Sequence, residues 1–491
     1  MASKKQIYLD HAATTPVHGD VLGAMLPYFG YHYGNASGFY SLGQRSKTAI
    51  EDARKHVADL IGAEPREIIF TSGGTEADNL AIQGSIFANV HKGRHIITSA
   101  IEHHAVLNVC TFLEQRGFRV SYLPVDQYGA VRAAEVKKAI TNDTIMITIM
   151  HSNNEVGTLQ PIAEIGAIAK EHGIIFHSDA VQSVGKIGVD VNDLNVDFMS
   201  ISAHKIYGPK GIGALYVRQG NHIAPLMHGG DHEMKMRPGT ENVPAIVGFG
   251  KACEIAAETL EANLSQVKEL REQLEKAISE KLPSARINAH PKKQLPHILS
   301  VSFESLESLS IIANLDIQGI CASGGAACTT GIIEPSHVLS AMQIPPEMAY
   351  GTVRFSLGWE NNPREIEMTA TALAIAIKRL QSFYQSNPEE IRVITFPKIE
   401  QARAAQKVSL KSDVLFSLIA TPQHILLKGD AHVALAHLDE DHERIMTLLG
   451  ETGIEITGTH RIRGVSRAQR GKVMKDKEKQ FWDRVSKIKK I

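Results

Sequence analysis

Cysteine is scarce in this chain, with four residues among 491 and no C-x-x-C pair. That excludes a disulfide framework and favours a reducing compartment, where free thiols persist. Excess charge is also missing: 52 basic residues meet 53 acidic ones, for a formal net charge of −1. Nothing global therefore points to an acidic partner, and nucleic acid is not expected as one. No apolar run is long enough to span a bilayer. The six residues before Ile7-Tyr8-Leu9-Asp10 leave no room for a signal peptide's apolar core. These absences predict a soluble, cytoplasmic protein without membrane contact. What is present is ordinary for that class, 43% hydrophobic and 21% charged residues, in a chain long enough for two or three domains.

Between about residues 66 and 220, short β-rich runs alternate with helical patterns. The runs are Glu67–Phe70, His95–Thr98, Arg119–Leu123, Thr144–Ile149, Ile174–His177, Phe198–Ile201 and Gly213–Val217. Nearly continuous in Val, Ile and Phe, they suit a mainly parallel sheet covered by helices on both faces. Thr75–Ala88, Ala105–Gln115 and Ile162–His172 read as amphipathic helices, and Ile246–Leu282 as one long helix. After Pro283 come a strand at Ile298–Phe303, a loop, a strand at Thr352–Ser356 and a helix from Pro363 to about Tyr384. The expected organisation is an α/β doubly wound large domain over 1–260, carrying an N-terminal arm, followed by a smaller α+β domain over 261–385. Ser386-Asn387-Pro388 reads as a linker to an appended α+β segment, 386–491. That segment holds strands at Arg392–Phe396 and Val414–Ile419, a helical Asp439–Leu449 and a basic tail from Arg467 to Lys490. The tail reads as a solvated terminal helix rather than a nucleic-acid contact.

Two frames carry the chemistry. The first is Ser202-Ala203-His204-Lys205, preceded by Asp179-Ala180-Val181-Gln182. The second, Ser323-Gly324-Gly325-Ala326-Ala327-Cys328, lies in a stretch of small residues that reads as an exposed loop able to carry a thiol. A lysine can hold an aldehyde cofactor, and a cysteine thiolate can accept an atom from a substrate. Pyridoxal 5'-phosphate needs a lysine for its aldehyde, a carboxylate for its pyridine nitrogen, donors for its phosphate and a flat group over its ring. Asp179 follows a strand, at the carboxyl edge where doubly wound sheets place ligands. Ser72-Gly73-Gly74-Thr75-Glu76 lies between a strand and a helix, offering amides and a hydroxyl to an anion. Taken singly, each piece also reads as a cap or a surface lysine; their order, each at a strand end, favours function. Cys110 and Cys253 read as core residues on amphipathic helices, and Cys321 as a packed residue ending a strand. The spacing from Cys321 to Cys328 lacks the short ligand pairs of a structural zinc site.

Residues 7 to about 385 resemble a cysteine desulfurase of the NifS/IscS type, a fold-type I pyridoxal-phosphate enzyme of the class V aminotransferase family. The matching stretches are Tyr8–Thr15, Thr71–Glu76, Glu102–Val106, Asn153–Gly157, Ser178–Gln182, Ser202–Gly211, Arg237–Asn242, Ala327–Thr329, Glu334–Leu339 and Val353–Gly358. The resemblance implies a mainly parallel seven-stranded sheet and conversion of L-cysteine to L-alanine, with sulfur passed to Cys328 as a persulfide. It implies that Lys205 binds the cofactor aldehyde, His103 stacks on the ring and moves protons, and Asp179 pairs with the ring nitrogen. Asn154 and Gln182 would bond near the ring hydroxyl. Gly74, Thr75, Ser202 and His204 would hold the phosphate, with Thr240 reaching it from the other subunit of a homodimer. Arg354 with Asn35 would bind the substrate carboxylate.

The same resemblance implies a sulfur-carrier or iron–sulfur scaffold partner, with Cys328 as a transient iron–sulfur ligand shared with that scaffold. Ala326, Gly324, Ala36 and Tyr40 depart from residues usual in the family, and bear on rate and partner choice. The rival readings are a selenocysteine lyase or aminotransferase of the same fold, and a non-catalytic sulfur-assembly subunit.

Overall fold

The computed structural model describes residues 6–324, 335–385, 390–396, 416–419, 433–438, 446 and 458–463. Strand β1 (Ile7–Tyr8) belongs to an N-terminal arm. Seven strands follow: β2 (Ile68–Thr71), β3 (His95–Ser99), β4 (Arg119–Leu123), β5 (Thr144–Thr148), β6 (Ile175–Asp179), β7 (Phe198–Ser202) and β8 (Gly213–Val217). They form one sheet in the order β2-β8-β7-β6-β5-β3-β4. The pairs from β7 to β4 are parallel, and β8 runs antiparallel to both β7 and β2.

Period-two alternation explains why the strands read as continuous apolar runs. Phe70, Ile97, Ile147, Met199 and Tyr216 face one buried core. Ile69, Ile96, Met146, Phe198 and Leu215 face a second core on the opposite side. Both faces are covered, so neither needs polar side chains. The predicted helix Thr75–Ala88 is interrupted: Gly74–Asn79 passes through a π-helical turn at Leu80–Gly84 into Ser85–Ala88. A side chain on Gly84 would meet Ile223 and the Ala224 carbonyl at 2.5 and 2.7 Å, so the turn packs directly on another segment. Hydrophobic spacing alone carries no sign of such an insertion.

The helix Val243–Lys281 joins two cores. Ile246, Phe249 and Cys253 pack under the large sheet, whereas Leu270, Leu274 and Ile278 pack with Leu299, Phe355 and Leu373. The second core lies against β9 (Arg286–Ile287), β10 (Ile298–Ser302), β12 (Ser323–Gly324) and β13 (Thr352–Ser356), in the sheet order β12-β13-β10-β9. Strand β11 (Ile320–Cys321) pairs in parallel with β1, tying the arm to this part of the chain. Cys110 and Cys253 are fully buried, as their helical positions suggest. Four further strands, β14 (Glu390–Phe396), β15 (Phe416–Ile419), β16 (Val433–Leu438) and β17 (Gly458–Arg463), form an antiparallel sheet in the order β15-β16-β14-β17. The last two were not anticipated from the sequence. The predicted helix Asp439–Leu449, apart from residue 446, and the basic tail lie outside the described residues.

Edge strand β2 is fixed by a buried ion pair. Arg54 donates to both carboxylate oxygens of Glu233, at 2.7 and 2.8 Å, and to the Ile68 carbonyl at 2.6 Å. Glu233 also accepts the Phe70 amide at 2.7 Å. Glu233, Met234 and Lys235 all have left-handed backbones, with φ of 45°, 55° and 68°, a conformation costing about 1–2 kcal/mol per non-glycine residue. The ion pair opposes that strain. Replacing Arg54 by Met strands the Glu233 carboxylate and is expected to destabilise the fold by about 3–5 kcal/mol. Urea unfolding of the two proteins checks this; a loss below about 1 kcal/mol, the scale of an exposed pair, would contradict it.

Candidate active site

Lys205 ends a single 3-10 turn, Ala203–Lys205, that directly follows β7. Its Nζ donates to the carbonyls of Ala12 and Ala13, at 2.6 and 2.8 Å. The arm is stitched to this turn at several points. Thr14 Oγ1 lies 3.1 Å from His204 Nδ1, and the Thr15 hydroxyl donates to the His204 carbonyl at 3.0 Å. The Tyr207 amide donates to Thr15 Oγ1 at 2.8 Å. Burial pulls the Lys205 amine down to about 8, helped by the Arg354 charge and opposed by Asp179 and Asp10. Burial, followed by the charge of Lys205, lowers His204 to about 4. A lysine in this state is still mainly cationic at neutral pH, but its neutral fraction, the form a nucleophile or base requires, is far larger than an ordinary lysine's.

Asp179 closes β6 on the same edge and is 7% exposed. Its Oδ1 accepts the Val181 amide at 2.9 Å, which fixes the carboxylate. Burial raises its pKa, while His103, that amide and Lys205 oppose the rise. Behind it lies a buried polar row. His177 Nδ1 is 2.8 Å from Thr148 Oγ1, and its Nε2 is 3.0 Å from Ser200 Oγ and 3.6 Å from Asp78 Oδ1. Burial, with Asp179 next, raises Asp78 well above the carboxylate range. Burial also pushes Glu102 up to about 8, against hydrogen bonds from Ser99 and the Met150 amide. Burial raises all three carboxyl groups, and among them Asp179 has the side chains of His103 and Lys205 acting against the rise.

His103 caps the helix His104–Glu114, its Nδ1 accepting the Ala105 amide at 3.2 Å. That bond places the proton of the neutral ring on Nε2. Part of the ring faces solvent, yet the surrounding protein lowers its pKa by desolvation, against the pull of Asp179. Gln182 donates to the Ala12 carbonyl at 2.9 Å, so it reaches the same arm carbonyl as Lys205. Gly74 and exposed Thr75 open the helix after β2. A side chain at 74 would come within 2.7 Å of Val181, which keeps that position bare. Ser202 is buried at the end of β7.

Arg354 lies on β13. Its Nη2 donates to Asp10 Oδ1 at 2.9 Å and its Nη1 to the Asn154 carbonyl at 2.8 Å, while Nε is buried without a partner. The structure therefore brings Asn154 to the site through its main chain. Asn35 and Thr240 are exposed, and no hydrogen bond joins either to the Lys205 cluster. Arg237, in the Thr240 stretch, binds Glu76 at 2.9 Å, anchoring that stretch beside the Gly73-Gly74-Thr75 turn.

Cys328 lies outside the described residues, but both ends of its segment are placed. Ser323 pairs with Arg354 in the β12–β13 ladder. On the far side Ser336 caps the helix His337–Ala341, and His337 Nε2 is 2.9 Å from the Glu102 carbonyl. The segment thus leaves beside Arg354 and returns beside Glu102, next to His103. Asp10, Asp78, His177 and the Ala12 and Ala13 carbonyls received no role from the sequence. The Tyr8–Thr15 match was the one signal for Asp10, Ala12 and Ala13, and Asp78 and His177 lie outside it.

Residues 7–368 match the model of the family described as Aminotransferase class-V. The chain belongs to this family. It is 49% identical over 390 residues to a protein named "Cysteine desulfurase IscS" from Methanosarcina thermophila, covering 79% of this chain and 96% of that one. A protein of the same name from Dictyoglomus turgidum is 48% identical over 77% of this chain and 96% of its own length. Among solved structures, a "NIFS-LIKE PROTEIN" aligns with a TM-score of 0.72 at 37% identity, covering 76% of this chain and 99% of that chain. The class-V fold is the fold-type I arrangement anticipated from the sequence, with β8 as the antiparallel member of its seven-stranded sheet. Among the described residues, no helix is long and apolar enough to cross a membrane.

The lowered Lys205 amine gives a direct test on cofactor-free protein. Adduct formation with pyridoxal phosphate, trapped by borohydride and mapped by mass spectrometry, should rise with pH through about 8 at Lys205. A yield that climbs only above about 10, the range of an ordinary lysine, would contradict the assignment.

Proposed function

We propose that this protein is a pyridoxal-phosphate-dependent cysteine desulfurase that converts L-cysteine to L-alanine and takes the sulfur onto Cys328. The observation that carries this reading is that Lys205 lies within electrostatic reach of both Asp179 and Arg354, and that Arg354 pairs with Ser323, beside the start of the Cys328 segment. The residues present fit the cofactor. A buried carboxylate accepts a main-chain amide and, among the described residues, no hydrogen bond from a cationic side chain, an amine is held by carbonyls, and a partly open imidazole lies within electrostatic reach of both.

When bound, pyridoxal phosphate would supply a sink for the electron pair left as the substrate loses its Cα proton. Lys205 would hold its aldehyde, Asp179 its ring nitrogen, and Gly74, Thr75, Ser202 and His204 its phosphate. Asn154 and Gln182 would lie near its ring hydroxyl, with Thr240 reaching the phosphate from a second copy. Arg354, with Asn35, would hold the substrate carboxylate, its unpartnered Nε being a donor in reserve. Once released from the cofactor, the Lys205 amine would take the Cα proton, and His103 would move protons on the opposite face. The Cys328 thiolate would attack the substrate sulfur, forming an S–S bond as the C–S bond breaks. With the protons returned, L-cysteine and the thiol become L-alanine and a persulfide, so atoms and electrons balance.

The wider setting belongs to the same proposal. A sulfur carrier or iron–sulfur scaffold would take the persulfide sulfur in the cytoplasm, Cys328 serving as a transient cluster ligand. A solved structure titled "SspA in complex with cysteine", 41% identical with a TM-score of 0.65 over 72% of this chain and 99% of that one, supports the substrate class. Exposed Phe29, Tyr31, Tyr33, Phe39 and Tyr40 offer the apolar patch that a homodimer would cover. The 1–260, 261–385 and 386–491 division fits the two cores and the separate four-stranded sheet.

Replacing Cys328 by Ser should leave the cofactor's absorbance in place while alanine formation falls by about 100-fold or more, the scale of losing a nucleophile. Turnover of L-cysteine at the wild-type rate in that variant would favour a lyase that releases sulfur without an enzyme thiol.

A further inference from the structure

A second cavity lies beside the Lys205 site and is lined by neither Lys205 nor Arg354. It opens between the helix Val243–Lys281, the Gly185-Lys186 turn and the Pro296–His297 and Leu357–Trp359 segments. Its empty volume is about 640 Å³, with the open solvent at its mouth included. Most of its wall is aliphatic, Val21, Ile206, Ile255, Leu260, Leu264 and Leu357 among the lining residues.

Several polar groups in this wall have no partner in the chain. Lys186 extends its ammonium over the Tyr207 ring, 4.7 Å from the centroid, and makes no ion pair with a carboxylate among the described residues. Burial, then the charge of Lys205, lowers it to about 8, so it retains a large cationic fraction at neutral pH. His297 is 2% exposed, and both of its ring nitrogens lack a hydrogen-bond partner. Trp359 Nε1, also on this wall, is buried without an acceptor. No Asp or Glu lines the cavity. Buried polar groups are almost always paired, so the unpartnered His297 ring and Trp359 indole N–H, beside an ammonium without an ion pair, call for a polar group from outside the chain.

Charge and wall together define the ligand. One cation matches one negative charge, and a cavity without carboxylates repels the ammonium of an amino acid. Aliphatic walls reward an alkyl body and leave a strongly hydrated dianion uncompensated. We propose that this cavity binds a short-chain aliphatic monocarboxylate, its carboxylate held by Lys186, Trp359 and His297 and its alkyl end against the helix Val243–Lys281. The site is separate from the one that would bind the substrate carboxylate through Arg354, and it does not depend on the desulfurase reading.

The test uses the full-length holoenzyme and trifluorobutyrate followed by fluorine NMR. The expected result is saturable line broadening that persists under excess L-alanine, is competed by butyrate, and is absent with trifluorobutanol. Lys186→Met should weaken binding by about tenfold or more, the scale of a lost charge-assisted hydrogen bond. Thr259→Trp should abolish it by filling the cavity from a half-buried position on the helix wall, which keeps the test decisive if Lys186→Met fails to fold. No broadening would mean that the cavity holds water only and would overturn the proposal. Equal affinity in a folded Lys186→Met protein, displacement by L-alanine, or displacement by nitrate as effective as that by butyrate would overturn it as well.

Discussion

The arm carbonyls of Ala12 and Ala13 hold Lys205, and much of the site follows from that contact. The arm spans the two halves of the molecule. The Ala12 amide donates to Ser356 Oγ at 2.8 Å on β13, and Asp10 holds Arg354, while Thr15 takes the Tyr207 amide after β7. Tyr207 adopts a left-handed backbone, φ 64°, at the point where the arm grips it, and surrounding contacts must hold such a residue in place. Bonds from a charged amine are worth about 1.5–3 kcal/mol each. The amine is thereby positioned by carbonyls, and burial outweighs the pull of Asp179 and Asp10 on its pKa.

The same economy governs the acids. Three carboxyl groups, on Asp78, Glu102 and Asp179, lie buried around His177 and β5–β6. Burial pushes all three upward, and like charges so close cannot all ionise. Asp179 differs in having His103 and Lys205 nearby and an amide on its Oδ1. Those contacts favour the ionised form at Asp179 more than at its two neighbours, which is where a ring nitrogen would need it. The polar row is therefore part of the site, although none of its inner members reaches the surface.

The fold was legible because strand alternation leaves a strong mark: β4, β8 and β13 occupy the residues read from the sequence, and the helix Ile162–His172 does as well. Lys205, Asp179 and Gln182 stand out in the sequence because each lies at or after a strand end, and the structure sets them on one edge of the sheet. The π-helical turn at Leu80–Gly84 was not, since it depends on the approach of Ile223 and Ala224 from a distant segment. The carbonyl seat of Lys205 was equally invisible, for main-chain acceptors carry no side-chain signature. Arg354 illustrates the middle case. Its residue type suggested a carboxylate, and the structure supplies one already, Asp10, leaving Nε as the free donor.

The most direct test of the account is a single turnover of the wild-type holoenzyme with limiting L-cysteine and no added reductant. Alanine is quantified against sulfane sulfur on the peptide that contains Cys328. The account predicts that the two appear together, one for one, with the added sulfur on that thiol alone. Alanine accompanied by free sulfide and an unmodified Cys328, or cofactor turnover without alanine, would contradict it.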